Sequence, residues 1–134
     1  MVILSEDMKM GVAHIDAQHQ ELIDRLNVIT SMGIGSVSKE ETEKTLDLLA
    51  DYTIRHFADE EKLQEQCGYP LFDWHKEQHK LFLEEFANLK QEFSANGPSM
   101  MFSFILNKSI IDWVFWHIKH ADVEFGKFYK KHMP

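Results

Sequence analysis

The sequence predicts an all-α protein: an antiparallel up-down-up-down four-helix bundle with an extended N-terminal arm. Three observations carry this. Apolar residues recur at helical spacing through four long stretches. The three prolines and six glycines fall mostly between those stretches, where helices should stop. And 134 residues is the length of one domain, with no linker, repeat or low-complexity run to divide it, so residues 1–134 read as a single domain.

The elements follow in order. Residues before Gly11 read as the extended arm. The first helix runs from about Ile15 to Ser31, with Ile15, Leu22, Ile23, Leu26 and Ile29 on one face, and Gly33-Ile34-Gly35-Ser36 ends it. The second opens on Ser38-Lys39-Glu40-Glu41, a capping box in which Ser38 and Glu41 serve each other's free backbone N–H groups. Its stripe is Leu46, Leu49, Tyr52, Thr53 and Leu63, and Gly68 in Cys67-Gly68-Tyr69-Pro70 is a left-handed cap. The third runs from about Pro70 to Phe93, with Pro70 or Leu71 in its first turn and Leu71, Phe72, Phe82, Leu83, Phe86 and Leu89 as its stripe. Ser94-Ala95-Asn96-Gly97-Pro98 breaks it. The fourth runs from about Ser99 to Tyr129 on Leu106, Ile110, Trp113, Val114, Ala121 and Phe125.

Composition narrows the function. A net charge of −8 without a basic stripe argues against nucleic acid or an anionic membrane as partner. The greasiest stretch, Ser109 to Ile118, is interrupted by Asp112 and is too short to span a bilayer. The opening Met-Val-Ile-Leu-Ser-Glu-Asp has neither the basic nor the long apolar region of a secretory signal. The single cysteine, Cys67, fits a reducing compartment, and a cytoplasmic location is expected. Cys67 has acidic neighbours, which should raise its thiol pKa and leave it unreactive.

The excess is in histidine, with eight residues. His19 lies among Ile15, Leu22 and Ile23. His56 shares a face with Leu49 and Glu60. His75 and His79 precede Phe82, Leu83 and Phe86, and His117 sits among Ile110, Trp113, Val114 and Ala121. Each predicted helix therefore sends at least one imidazole inward. A lone inward histidine is usually a hydrogen-bonded core residue. Five of them with Glu60 would be a heavy desolvation burden unless something binds them, and a metal does so. His14 and His132 lie off the stripes. His120 competes with His117, because His120 and Glu124 repeat the HxxxE spacing of His56 and Glu60, but Trp116, Lys119, Glu124 and Lys127 mark its face as outer. Five imidazoles and a carboxylate exceed the need of one ion, which points to two. A second bridging carboxylate is available in Asp122, five residues after His117. In a regular helix that spacing leaves the two side chains about 140° apart, so Asp122 reaches the site only through a π-bulge or a helix end. Periodicity alone does not select it.

These residues resemble the hemerythrin family, and its bacterial members most closely. Gly11-Val12-Ala13-His14-Ile15-Asp16-Ala17-Gln18-His19 is similar to the family's VGxxxIDxQH entry. His56-Phe57-Ala58-Asp59-Glu60-Glu61 matches HFxxEE. Tyr69-Pro70 followed by His75 and His79 matches YP then HxxxH, and Trp113 with His117-Ile118 and Asp122 matches WLxxHIxxxD. The resemblance spans nearly the whole chain. It implies two non-haem iron ions with an oxo or hydroxo bridge, held by His19, His56, Glu60, His75, His79, His117 and Asp122. His75, His79 and His117 would hold one iron, His19 and His56 the other, with Glu60 and Asp122 bridging. It further implies that dioxygen binds reversibly, as hydroperoxide, at the five-coordinate iron, in a pocket lined by Trp113 and Val114. The family usually has leucine where Val114 stands, and bacterial members often have tryptophan where the arm has Leu4. The expected role is a non-enzymatic oxygen carrier, store or supplier. The alternatives are an oxygen or redox sensor acting through a partner protein, using Phe102, Phe104, Phe115 and Trp116, or a redox enzyme of peroxide or nitric oxide chemistry. No protein partner is indicated by the sequence.

Overall fold

The computed structural model describes residues 4–32 and 37–132. Four long helices account for most of them: α1 (Ala13–Met32), α2 (Lys39–Cys67), α3 (Phe72–Asn96) and α4, a continuous helical rod over 100–132. The predicted breaker at 33–36 lies outside the described residues. Successive helices pack on one another, α1 on α2, α2 on α3 and α3 on α4. Cross-helix pairs run in opposite directions along each neighbour. Phe93 meets Phe102, Phe82 meets Trp113, and His75 meets His117, which is the antiparallel register of an up-down bundle. Among the described residues no helix is long and apolar enough to cross a membrane.

The helix ends follow local chemistry. The Ser38 side chain accepts from the Glu41 N–H, closing the Ser38 half of the predicted box. Gly68 adopts φ 67° and its N–H reaches the Gln64 and Glu65 carbonyls, a left-handed cap that a side chain would strain. Three expectations shift. The third helix starts at Phe72, with Leu71 as its half-in flanking residue and 51% exposed, so Leu71 leaves the stripe. That helix also runs through Ser94 and Ala95, because Gly97 rather than the serine ends it. The arm is not fully extended: Glu6–Met8 form a single 3-10 turn, and Met8, Met10 and Val12 are buried. Leu4 packs at the edge of the main core. Asp16 fixes the arm's exit, accepting from the N–H groups of Met10 and Gly11 at 2.9 and 3.1 Å.

The fourth helix is interrupted twice without being broken. Leu106–Ile111 and His117–Asp122 are π turns, with α-helical Met100–Ile105, Asp112–Trp116 and Val123–His132 around them. Each π turn closes with a bond five residues back, Asp112 N–H to Asn107 and Val123 N–H to Ile118. The apolar core divides into two clusters. The larger gathers Phe57, Phe82, Phe86, Leu89 and Phe93 with Ile110 and Val114. The smaller gathers Met10, Val12, Ile15, Tyr69 and Phe125 at the other end. Phe102 belongs to the larger cluster against Phe93. It is therefore removed from the predicted aromatic surface, where Phe104 and Trp116 remain exposed.

Candidate metal centre

Polar side chains meet between the two apolar clusters. His19, His56, Glu60, His75, His79, His117 and Asp122 are all buried, none more than 2% exposed. Their donor atoms form two groups. Glu60, His75, His79, His117 and Asp122 make one, His19, His56, Glu60 and Asp122 the other, and within each the donor atoms lie within 4.8 Å of one another.

The two carboxylates belong to both groups. Glu60 Oε1 is 2.7 Å from His75 Nε2 and 3.2 Å from His79 Nε2. Its Oε2 is 3.6 Å from His19 Nε2 and 3.9 Å from His56 Nε2. Asp122 Oδ1 is 2.9 Å from His75 Nε2 and 3.1 Å from His117 Nε2, while Oδ2 is 3.0 Å from His19 Nε2. Each carboxylate thus sends one oxygen to each group. Asp122 reaches this position because the π turn brings residues five apart onto one face, which is the condition the sequence left open. His120 points to solvent against Trp116, and Glu124 pairs with Lys127 instead.

Distances test whether these atoms suit an ion. Two donors each about 2.1 Å from a six-coordinate ion, at right angles, are about 3.0 Å apart. The first group's edges cluster around that value, including two imidazole nitrogens, His75 Nε2 and His117 Nε2, at 3.0 Å. Both Glu60 oxygens, Asp122 Oδ1 and the Nε2 atoms of His19 and His79 are buried without a hydrogen-bond partner among the described residues, despite these short separations. Their lone pairs aim at common points rather than at one another. The set fits a pair of cations, and its imidazole-rich character favours a first-row transition metal over calcium or magnesium.

Residues that the sequence reading left without a role orient the rings. His56 Nδ1 lies 2.8 Å from Gln18 Oε1, and Gln18 donates through Nε2 to Asp59 at 2.8 Å. His79 Nδ1 lies 2.8 Å from Glu61 Oε2. With Nδ1 as the donor in each, Nε2 is left free to face the centre. Phe57 stacks on His79 at 3.8 Å and 3°, and Trp113 stacks on His117 at 4.3 Å and 10°. Gln18 precedes His19, and Phe57 and Glu61 each follow a centre residue, so the signal for all three was adjacency to a predicted donor. Trp113 also lies 4.5 Å from Phe82, and Val114 is 2% exposed. Cys67 stands apart. Burial rather than acidic neighbours raises its thiol pKa, and Sγ contacts the Gln64 carbonyl.

Without cations the charges balance internally. Burial alone would lower His19, but contacts with Asp122 and Glu60 outweigh it and raise the pKa to about 10. The same competition raises His75 to about 9. Burial and the mutual repulsion of Glu60 and Asp122 would raise Glu60, yet His19, His75 and His79 hold it below the ordinary range. Burial would likewise raise Asp122, which His117, His19 and His75 hold well below its usual value. His56 is pushed down to about 4 by burial and by the His19 charge. Linkage fixes the sign. The stability from His19 and His75 is fully present below about pH 6.5 and is lost as pH rises toward their folded values of about 10 and 9. That from His56 is present above about pH 6.5 and is lost as pH falls to about 4. The thermal midpoint of chelator-treated protein should therefore fall steadily between pH 7 and pH 10. A flat midpoint across that range would remove the imidazolium–carboxylate pairing.

The chain is similar to known proteins. The family described as "Hemerythrin HHE cation binding domain" matches residues 10–128. The chain is similar to a bacteriohemerythrin of Stenotrophomonas maltophilia (strain R551-3), 30% identical over 133 residues that cover 99% of this chain and 84% of that one. It is 29% identical over 124 residues to a bacteriohemerythrin of Pseudomonas paraeruginosa (strain DSM 24068 / PA7), covering 92% and 78%. A myohemerythrin of Sipunculus nudus is 23% identical over 124 residues, covering 92% and 89%.

Proposed function

The chain belongs to the hemerythrin family, and from that premise we propose that it is a non-haem di-iron protein that binds dioxygen reversibly. The carrying observation is the sharing of both Glu60 and Asp122 between two groups of imidazoles. In this reading His75, His79 and His117 would hold one iron and His19 and His56 the other, with Glu60 and Asp122 available to both. A ferrous pair there would supply the two electrons that dioxygen takes on binding. The remaining work belongs to the chain.

The first group offers five donor atoms and the second four, so an outside ligand would find its place on the His19–His56 side. By the family resemblance Trp113 and Val114 would line the approach; both belong to the apolar cluster of Phe57 and Phe82, which would keep water away. Gln18 and Glu61 accept from the Nδ1 atoms of His56 and His79, which would keep those Nε2 atoms aimed at a bound metal. Among the described residues the polar groups of the centre are the donors and the side chains that orient them, and we read it as a binder rather than an enzyme. The donors come from all four helices, which supports a single domain. We read its role as an oxygen carrier, store or supplier in the cytoplasm.

The absorption spectrum of the anaerobically reduced, iron-loaded protein tests this. A visible band that appears with oxygen and vanishes under vacuum is the expected result. A band that forms and decays without reversal would move the assignment to a sensor or redox enzyme. Val114 offers a second measurement. A leucine fills more of the approach, so Val114→Leu is expected to slow the irreversible loss of the band several-fold. Equal decay rates would show that the space beside Val114 does not control water entry.

A further inference from the structure

Gln64 is fully buried, and both its amide oxygen and its amide nitrogen are without a hydrogen-bond partner among the described residues. An unsatisfied buried amide is destabilising, and native proteins rarely keep one without a purpose. Gln64 lies one turn beyond Glu60 on α2, on the same inward face. It makes none of the seven contacts assigned to the metals.

Its place in the bundle identifies a partner. The Glu61–His79 contact fixes the antiparallel register of α2 and α3. One turn further along α2, and one turn back along α3, brings Gln64 level with His75. The connecting turn agrees, since the Tyr69 N–H bonds the Gln64 carbonyl at 3.0 Å and the Tyr69 ring lies 6.5 Å from the His75 ring. His75 turns Nε2 to Glu60 and Asp122, while its Nδ1 is buried and equally without a partner. Two neighbours already have what His75 lacks: His56 has Gln18 and His79 has Glu61.

We infer that Gln64 is a positioning residue for His75, its Oε1 taking the Nδ1 proton's hydrogen bond through one shared buried water. Such a water receives from Nδ1–H and donates to the amide oxygen, which satisfies two buried polar atoms at once. The bond keeps the proton on Nδ1 and Nε2 toward the metal. The inference rests on the di-iron reading above.

The test compares iron release from the parent protein, Gln64→Leu and Gln64→Glu. Each is loaded anaerobically with ferrous iron, analysed for bound metal, and challenged with a chelator. Loss of an outer partner of a metal-bound histidine typically weakens binding about 10- to 100-fold. Gln64→Leu should therefore release iron at least about 10-fold faster, while Gln64→Glu, which keeps an acceptor oxygen, should hold it as long as the parent. Parental release from Gln64→Leu overturns the inference, as does equal acceleration in both variants, which would mean that Gln64 only fills space. A parent that binds no iron overturns the di-iron reading and this inference with it. A parent holding two ions beside unchanged variants overturns this inference alone.

Discussion

Replacing Glu60 by alanine is expected to reduce bound iron from the proposed two ions per chain to fewer than one. The reason is the division of its carboxylate. Oε1 serves the His75–His79 group and Oε2 the His19–His56 group, so one substitution removes a donor from each. It also deletes half the negative charge that offsets the ions in a buried, low-dielectric site. Glu61→Ala is the informative contrast. Glu61 reaches the centre only through His79 Nδ1, so its loss should weaken affinity about 10- to 100-fold and leave two ions bound at saturating iron. Elemental analysis of both variants after desalting distinguishes the cases. Two ions retained by Glu60→Ala would show that the carboxylate does not bridge.

The second large effect lies away from the metals. Gly126→Ala is expected to lower stability by about 3 kcal/mol and the thermal midpoint by roughly 10 °C. A Cβ at Gly126 would stand 2.3 Å from the Met10 carbonyl oxygen, 2.5 Å from Met10 Cβ and 2.9 Å from its carbonyl carbon. Two of these are backbone atoms, which cannot swing aside as the end of a long side chain can. Either the arm lifts from the last segment of α4 or that segment moves. The arm is tied by Asp16 and buries Met10 and Val12, so lifting it also exposes apolar surface. Thermal unfolding measured by circular dichroism reads the effect, and an unchanged midpoint would mean that the arm docks more loosely than the contacts imply.

Much of this architecture is legible in the residues. Periodicity marks the four helices, and Ser38 and Gly68 cap α2 where local backbone chemistry demands it. The inward histidines are legible because an imidazole among leucines and phenylalanines is costly to desolvate. The π turns are harder to see, although they left a trace. Phe102, Leu106, Ile110, Val114, Ile118, Asp122 and Gly126 are all buried, each four residues after the last. A regular helix would rotate such a series by about 40° at each step and carry it round to solvent. Two π turns, each taking up about one extra residue, hold it against the bundle. Asp122 was therefore ambiguous by local angle yet consistent with the longer pattern. Gln64 was hidden for a different reason. The stripe on α2 was read through Leu63, which is only half-buried, while the polar neighbour faces inward. Hydrophobicity gives no reason to bury a glutamine, and only the three-dimensional neighbourhood supplies one.

Asp122 also makes the centre depend on the last helix. One of its oxygens belongs to each donor group, and it sits on α4. On the di-iron reading, α1, α2 and α3 alone would give neither ion its full complement. Bound cations would then act as a late latch that closes α4 onto the other helices, not as a nucleus around which those helices collect.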